Sequence, residues 1–333
     1  MSTDNFCDVG DYFTYAREKR IPASVTIELC TVCNLKCKHC YITEHNNFGL
    51  PLDILQNLFL QLREMGTFEL VFTGGEILLR PDFFEILEMA RKLGFDVILF
   101  SNATLVTSEI AKKLGKLYIN MFSTSVYSLK DKVHDQITCV PGSLKKTLKG
   151  IELLKENGVN VEVKSMICKD NYQEIDNMAD FCKKNGYAFI PSPFLFPKND
   201  GDNSPIMMRL SEKELIEVMP KINKYISFEK KDKRPDDFMC ESVQNSFGIE
   251  VSGVVNPCNT MSFPIGNILE TKVNEIWKSR KMVEIQNIRF SDLQECKNCP
   301  STSSCIRCAG IALKETGDFK KKYDFACLVS RCR

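Results

Sequence analysis

Between Ser24 and Phe196, short runs of β-branched and apolar residues alternate with longer stretches in which apolar positions recur every three or four residues. SVTIEL is followed by helical spacing from about Pro51, ELVFT by a helix opening at Pro81, and DVILFSN by one near Ser108. YINMFSTSV then precedes a helix from Ser143, VNVEVKSMIC precedes one from about Tyr172, and FIPSPFLF closes the series. Strand periods trading with helical periods in this way predict roughly six βα units. Such units imply a parallel sheet, so the expected class is α/β with a sheet that is open or curled into a partial (β/α)6 barrel. Sites in these folds gather at the C-terminal ends of strands, and a cysteine-rich loop follows the first strand directly.

The pattern then changes. Lys198 to Arg209 is rich in Asn, Asp, Gly, Ser and Pro and reads as a loop leaving the barrel, after which Ser211 caps a helix. The run EKKDKRPDD from Glu229 reads as a solvated boundary, and beyond Met239 short strands, Gly turns and cysteines suggest a small metal-stapled domain. The expected division is an extension over 1–20, a partial barrel over 21–205, a bridging helix and linker over 206–238, and a cysteine-rich domain over 239–333. A chain of 333 residues accommodates one large domain and one small one.

Composition narrows the function classes. Lys and Arg number 44 against 43 Asp and Glu, so the summed charge gives no footprint for nucleic acid. The first twenty residues are polar and lack a secretory pattern, and no apolar run reaches bilayer length, so a soluble cytosolic protein with no membrane partner is expected. Sixteen cysteines in that setting point to metal rather than to disulfides.

Ten of the cysteines fall into two groups. Cys33, Cys37 and Cys40 share one short loop, whereas Cys240, Cys258, Cys296, Cys299, Cys305, Cys308 and Cys327 lie near the C-terminus. Three thiolates on one loop are one too few to close a [4Fe–4S] cluster, which leaves an iron free for a small-molecule ligand and marks the first group as the reactive centre. A zinc knuckle completed by His39 or Cys30 is the competing reading there. For the CxxC pairs between Cys296 and Cys308 it is a zinc ribbon.

CNLKCKHCY, from Cys33 to Tyr41, resembles the CxxxCxxC signature of the radical S-adenosylmethionine (SAM) superfamily, and it stands where that family places it. Thr73-Gly74-Gly75-Glu76 resembles the family's GGE motif, which implies close backbone approach at the glycines and a Glu76 carboxylate against the amino group of bound SAM. SNATL resembles the TNGT turn, with Asn102 at the polar position. Ser125 resembles the serine that contacts the ribose, and His39 occupies the position that flanks the adenine. The C-terminal third resembles the SPASM domain of peptide-modifying relatives. Carried over, that pattern gives Cys240, Cys258 and Cys308 to a first auxiliary cluster and Cys296, Cys299, Cys305 and Cys327 to a second. Two departures stand out: Cys308 follows Cys305 after two residues where the family usually has three, and no extra cysteine lies between Cys240 and Cys258. The first auxiliary set is then open unless Cys332 completes it.

The resemblance implies SAM and three [4Fe–4S] clusters as cofactors, a flavodoxin- or ferredoxin-type reductant, and a 5′-deoxyadenosyl radical that takes hydrogen from the substrate. The leading expectation is a C–S, C–C or C–O cross-link in a ribosomally made precursor peptide, with a separate chain supplying leader-peptide recognition. A formylglycine-forming maturase is the second reading, but Asn259 stands where those enzymes carry an aspartate base, and an amide cannot take the proton. Peptide epimerisation or small-molecule dehydrogenation is the third, and a non-enzymatic Fe–S or zinc scaffold is the alternative outside enzymes. Cys139 and Cys168, near strand ends, are the candidate hydrogen donors. His134 and Asp135 suggest an acid–base pair, against which stands the commoner use of such loop residues as helix caps.

Overall fold

The computed structural model describes residues 8–225 and 233–333; the middle of the linker expected over 206–238, with the start of its charge run, lies outside the described residues. Six parallel strands follow in chain order: β1 (Ser24–Cys30), β2 (Glu69–Gly74), β3 (Asp96–Phe100), β4 (Met121–Ser125), β5 (Val161–Met166) and β6 (Ala188–Ser192). The crossovers carry α2 (Leu52–Glu64), α3 (Phe83–Lys92), α4 (Ser108–Lys116), α5 (Asp131–Thr138), α6 (Ser143–Glu156) and α7 (Ile175–Asn185), while α1 (Val9–Lys19) precedes the sheet. The helical spacings seen in the sequence all mark helices. Of these helices, α1 within the supposed extension and the short α5 had no such mark.

Alternation along each strand decides which face the helices cover. Val25, Ile27 and Leu29 of β1, Leu70 and Phe72 of β2, and Val97 and Leu99 of β3 are buried against Leu58, Phe59 and Leu62 of α2 and Ile86 and Leu87 of α3. Each such side chain contributes roughly 1.5–3 kcal/mol on full burial, so this layer fixes the register. The opposite, inner face then carries the other set. Glu28 pairs with Thr73, Phe100 with Ser123, and Ser125 with Lys164, so these residues look into the same space.

On the far side of β1 the sheet continues. β7 (Ser246–Ile249) pairs parallel with β1, and β8 (Val254–Asn256) and β9 (Gly266–Asn267) follow antiparallel. Strands from beyond Met239 therefore extend one nine-stranded sheet, with β9 at its edge. At the other edge, the Ser192 carbonyl accepts from Ile167, which turns Pro191 toward the free edge, where a missing N–H costs nothing. The remaining helices, α8 (Glu212–Ile222), α9 (Val273–Trp277), α10 (Arg280–Gln286), α11 (Ala309–Thr316) and α12 (Asp324–Arg331), tie the C-terminal part back on. Ser211 caps α8 through a capping box, as its position suggests. Gln61 of α2 accepts from the Val273 N–H at the start of α9, and Arg209 pairs with Glu315 of α11.

A buried guanidinium holds both ends of the long loop that leaves β1. Arg80 donates to the carbonyls of Leu29 (2.7 Å), Phe48 (2.6 Å) and Leu50 (2.6 Å) and pairs with Asp82 (2.7 Å). Arg80→Met strips three carbonyls of their donor, and the two in buried bonds, those of Leu29 and Leu50, are each worth about 1–3 kcal/mol when unpaired. We expect a loss of more than about 3 kcal/mol in thermal or denaturant unfolding, with iron uptake falling in parallel. An unchanged unfolding midpoint would show that water replaces the clamp.

Candidate functional site

At the C-terminal end of the sheet the strand ends meet the cysteine loop around a cavity of about 430 Å³. Gly74 and Gly75 allow the approach: a Cβ on Gly74 would stand 2.1 Å from the Cys30 carbonyl oxygen, and one on Gly75 would stand 2.2 Å from that of Val32. Gly75 and Glu76 in turn donate their N–H groups to the Cys30 and Val32 carbonyls, both at 2.7 Å. The other side of the loop rests on α5, where the Thr138 and Ile137 carbonyls accept from Lys36 and Lys38. Cys33, Cys37 and Cys40 thereby line one cavity together with His39, Gly74, Gly75, Asn102 and Ser125.

Burial dominates the chemistry of these groups. It pushes the Cys33 thiol up to about 11, against the opposing Leu35 N–H and the Asn102 amide, and it raises Cys37 and Cys40 as well. Thiols held protonated in this way release protons when they take iron. His39 is pushed down to about 4 by burial; its Nε2 meets the Tyr127 hydroxyl at 3.0 Å, and its Nδ1 is buried without a partner. A close-approach cradle at the glycines, three thiols and an orphaned ring nitrogen in one cavity fit a cluster with an organic ligand.

Three expected residues stand elsewhere. The Glu76 carboxylate is fully buried and accepts from Leu78 N–H (3.0 Å), Ser101 Oγ (2.8 Å) and Asn102 N–H (2.8 Å), so it turns away from the cavity. Three donors take three of the carboxylate's four acceptor sites and leave one on Oε2 open. Cys139, at the left-handed C-cap of α5, is exposed and points back to the Gln136 carbonyl. Cys168 is buried in a satellite cluster with Tyr127, Ile137 and Leu195, and burial pushes it up to about 11. Neither lines the cavity. Asp135 accepts from Ser143 Oγ and Leu144 N–H and caps α6, which settles it as structural.

The C-terminal cysteines separate into two sets. Burial pushes Cys258 up to about 12, with Cys308 and Cys240 as its neighbours and the Thr260 and Met261 N–H groups as donors. Cys308 sits at the N-cap of α11 and takes N–H groups from Gly310 and Ile311, and a Cβ on Gly310 would stand 2.7 Å from the Thr260 backbone. Cys332, at the C-cap of α12, faces Glu212 and Arg331 instead. Cys296, Cys299, Cys305 and Cys327 line a separate cavity of about 500 Å³. Among the described residues, no group of three His, Cys, Asp or Glu side chains converges as the ligands of a single ion would.

Residues 27–182 match the Radical SAM superfamily and residues 240–300 an iron–sulfur cluster-binding domain, SPASM. The chain belongs to the radical SAM superfamily. It is an enzyme of that superfamily, with the fold of a radical SAM sheet joined to a SPASM domain, and its cofactors are SAM and iron–sulfur clusters. An AdoMet-dependent heme synthase of Methanosarcina barkeri is 26% identical over 90% of this chain and 94% of that protein. The Bacillus subtilis antilisterial bacteriocin subtilosin biosynthesis protein AlbA is 28% identical over 88% of this chain and 68% of its own length. Streptococcus suis SuiB bound to S-adenosylmethionine shares the fold with a TM-score of 0.73 and 18% identity, covering 98% of this chain and 84% of SuiB. No helix among the described residues is long and apolar enough to cross a membrane.

Arg80, Tyr127 and Glu28, which accepts from the Tyr41 hydroxyl at 2.7 Å, carry no motif, and nothing in the sequence marks them. Glu76 yields a test of its role. In Glu76→Gln the amide nitrogen faces a donor, so stability should fall by about 1–3 kcal/mol, and SAM affinity should fall only as the strand ends loosen. Weaker SAM binding at unchanged melting temperature would return the carboxylate to the cofactor.

Proposed function

We propose that the chain matures a ribosomally made peptide by forming a C–S, C–C or C–O cross-link. In this reading Cys33, Cys37 and Cys40 hold the SAM-binding cluster, and Gly74, Gly75, Asn102, Ser125 and His39 shape the pocket for SAM. Cys240, Cys258 and Cys308 hold an open auxiliary cluster. Cys296, Cys299, Cys305 and Cys327 hold a closed one. When bound, SAM and its cluster supply a 5′-deoxyadenosyl radical that takes a substrate hydrogen; the protein's own part is to hold the C–H bond in place and exclude solvent.

The observation that carries the reading is the shared inner face. Asn259, beside Cys258, packs on Gly248 of β7, which pairs with Thr26 of the strand that runs into the cysteine loop. A flexible chain laid along that face has the SAM pocket at one end and the first auxiliary set at its side. Similarity to AlbA, and to the sporulation killing factor maturation protein SkfB at 22% identity over 89% of this chain, supports a peptide. SuiB was also solved bound to its precursor peptide SuiA. Asn259 does not favour formylglycine formation. A separate leader-binding chain and a flavodoxin- or ferredoxin-type reductant complete the proposal. The second reading, action on an iron tetrapyrrole, is favoured by the near full-length likeness to the heme synthases.

Reduced, anaerobically reconstituted protein should contain close to three clusters by iron and sulfide analysis. Replacing Cys33, Cys37 and Cys40 by Ala should abolish SAM cleavage while sparing the auxiliary clusters. Mass spectrometry after incubation with SAM and candidate peptides should show loss of two hydrogens from a peptide. Turnover of an iron tetrapyrrole, with every peptide unchanged, would replace this reading by the second.

A further inference from the structure

Arg307 lies between Cys305 and Cys308, and hence between the two auxiliary sets. Its Nη2 donates to the carbonyls of Phe319 and Lys321 and its Nε to that of Lys321, which fastens the turn before α12. Nη1 is buried and meets no acceptor. The side chain lines the 500 Å³ cavity with Cys296, Cys299, Cys305 and Cys327. A guanidinium keeps its charge at every accessible pH, so a buried N–H on it without an acceptor is costly and points to an anionic occupant of the cavity.

We propose that Arg307 donates through Nη1 to the sulfur shell of an iron–sulfur cluster held by Cys296, Cys299, Cys305 and Cys327, and so raises the reduction potential of that cluster. The inference rests on the cluster assignment of the preceding section. Reduction adds negative charge, which a fixed cation and a hydrogen bond to sulfur stabilise more in the reduced state than in the oxidised one. An electron released by substrate oxidation then rests more favourably at this outer site.

The test is a redox titration, monitored by electron paramagnetic resonance, of the full reconstituted chain with Cys33, Cys37 and Cys40 replaced by Ala, so that only the auxiliary clusters report. Arg307→Met and Arg307→Gln should lower the midpoint of one auxiliary cluster by about tenfold in its reduction equilibrium, about 59 mV for a one-electron couple. Arg307→Lys, which keeps the charge, should shift it less. Equal midpoints in whichever variants keep the parent's iron content overturn the proposal and leave Arg307 as a tie for the turn before α12. Loss of the cluster in all three variants overturns it too, because Arg307 would then build the site rather than tune it. A chain that binds zinc and shows no auxiliary redox signal fails the cluster assignment instead.

Discussion

The site depends on one buried carboxylate. Glu76 sits under the ends of β2 and β3 with no water to solvate it, so its oxygens must collect donors from the protein: Leu78 N–H, Ser101 Oγ and Asn102 N–H. Each bond fixes a different piece. The first sets the turn after β2, and the other two set the turn that presents the Asn102 amide, whose nitrogen lies 4.0 Å from Cys33 Sγ. Because Gly75 and Glu76 also donate to the carbonyls of Cys30 and Val32, the same segment positions the start of the cysteine loop. Burial raises the Glu76 carboxyl and the three donors oppose it, so the network is needed for the charge as much as the charge for the network.

A second constraint acts at the far end of that loop. Residues 31 to 50 carry the three thiols but contain no helix or strand, so their backbone carbonyls depend on partners from elsewhere. Arg80 supplies those partners at both ends, and the last turn of α5 supplies acceptors at the middle. A loop closed on all sides in this way presents its cysteines without strain at the cysteines themselves. The auxiliary sets follow the same logic with different parts, since backbone N–H groups at the start of α11 and beyond Cys258 aim at sulfur.

Charge placed next to sulfur then differentiates the sites. The Cys33 loop meets a buried imidazole, with Glu76 acting on Cys33 and Lys198 on Cys40, whereas the Cys296 set meets a guanidinium. One chain can therefore hold centres of similar donor chemistry at different electronic settings. The inner face of the sheet carries Glu28, Thr73, Ser123 and Lys164 at alternate positions of four strands.

The alternation of short apolar runs with helical spacing determined the βα order, because period is a property of neighbouring residues and needs no tertiary contact. Cysteine spacing likewise marked the Cys33 loop as a candidate ligand set, whereas the division of the C-terminal cysteines into two sets came from the family resemblance. Other features were decided only in three dimensions. The GGE spelling is the same whether Glu76 faces a cofactor or the sheet, and burial under the ends of β2 and β3 turned it inward. Cys139 and Cys168 read as strand-end thiols, yet a left-handed cap exposed one and a satellite core enclosed the other. β7 pairs with β1 across more than two hundred residues, a partnership no local pattern encodes. Arg80 and Arg307 look like ordinary charged residues in the sequence; which carbonyls and thiols surround a guanidinium is fixed only when distant segments pack.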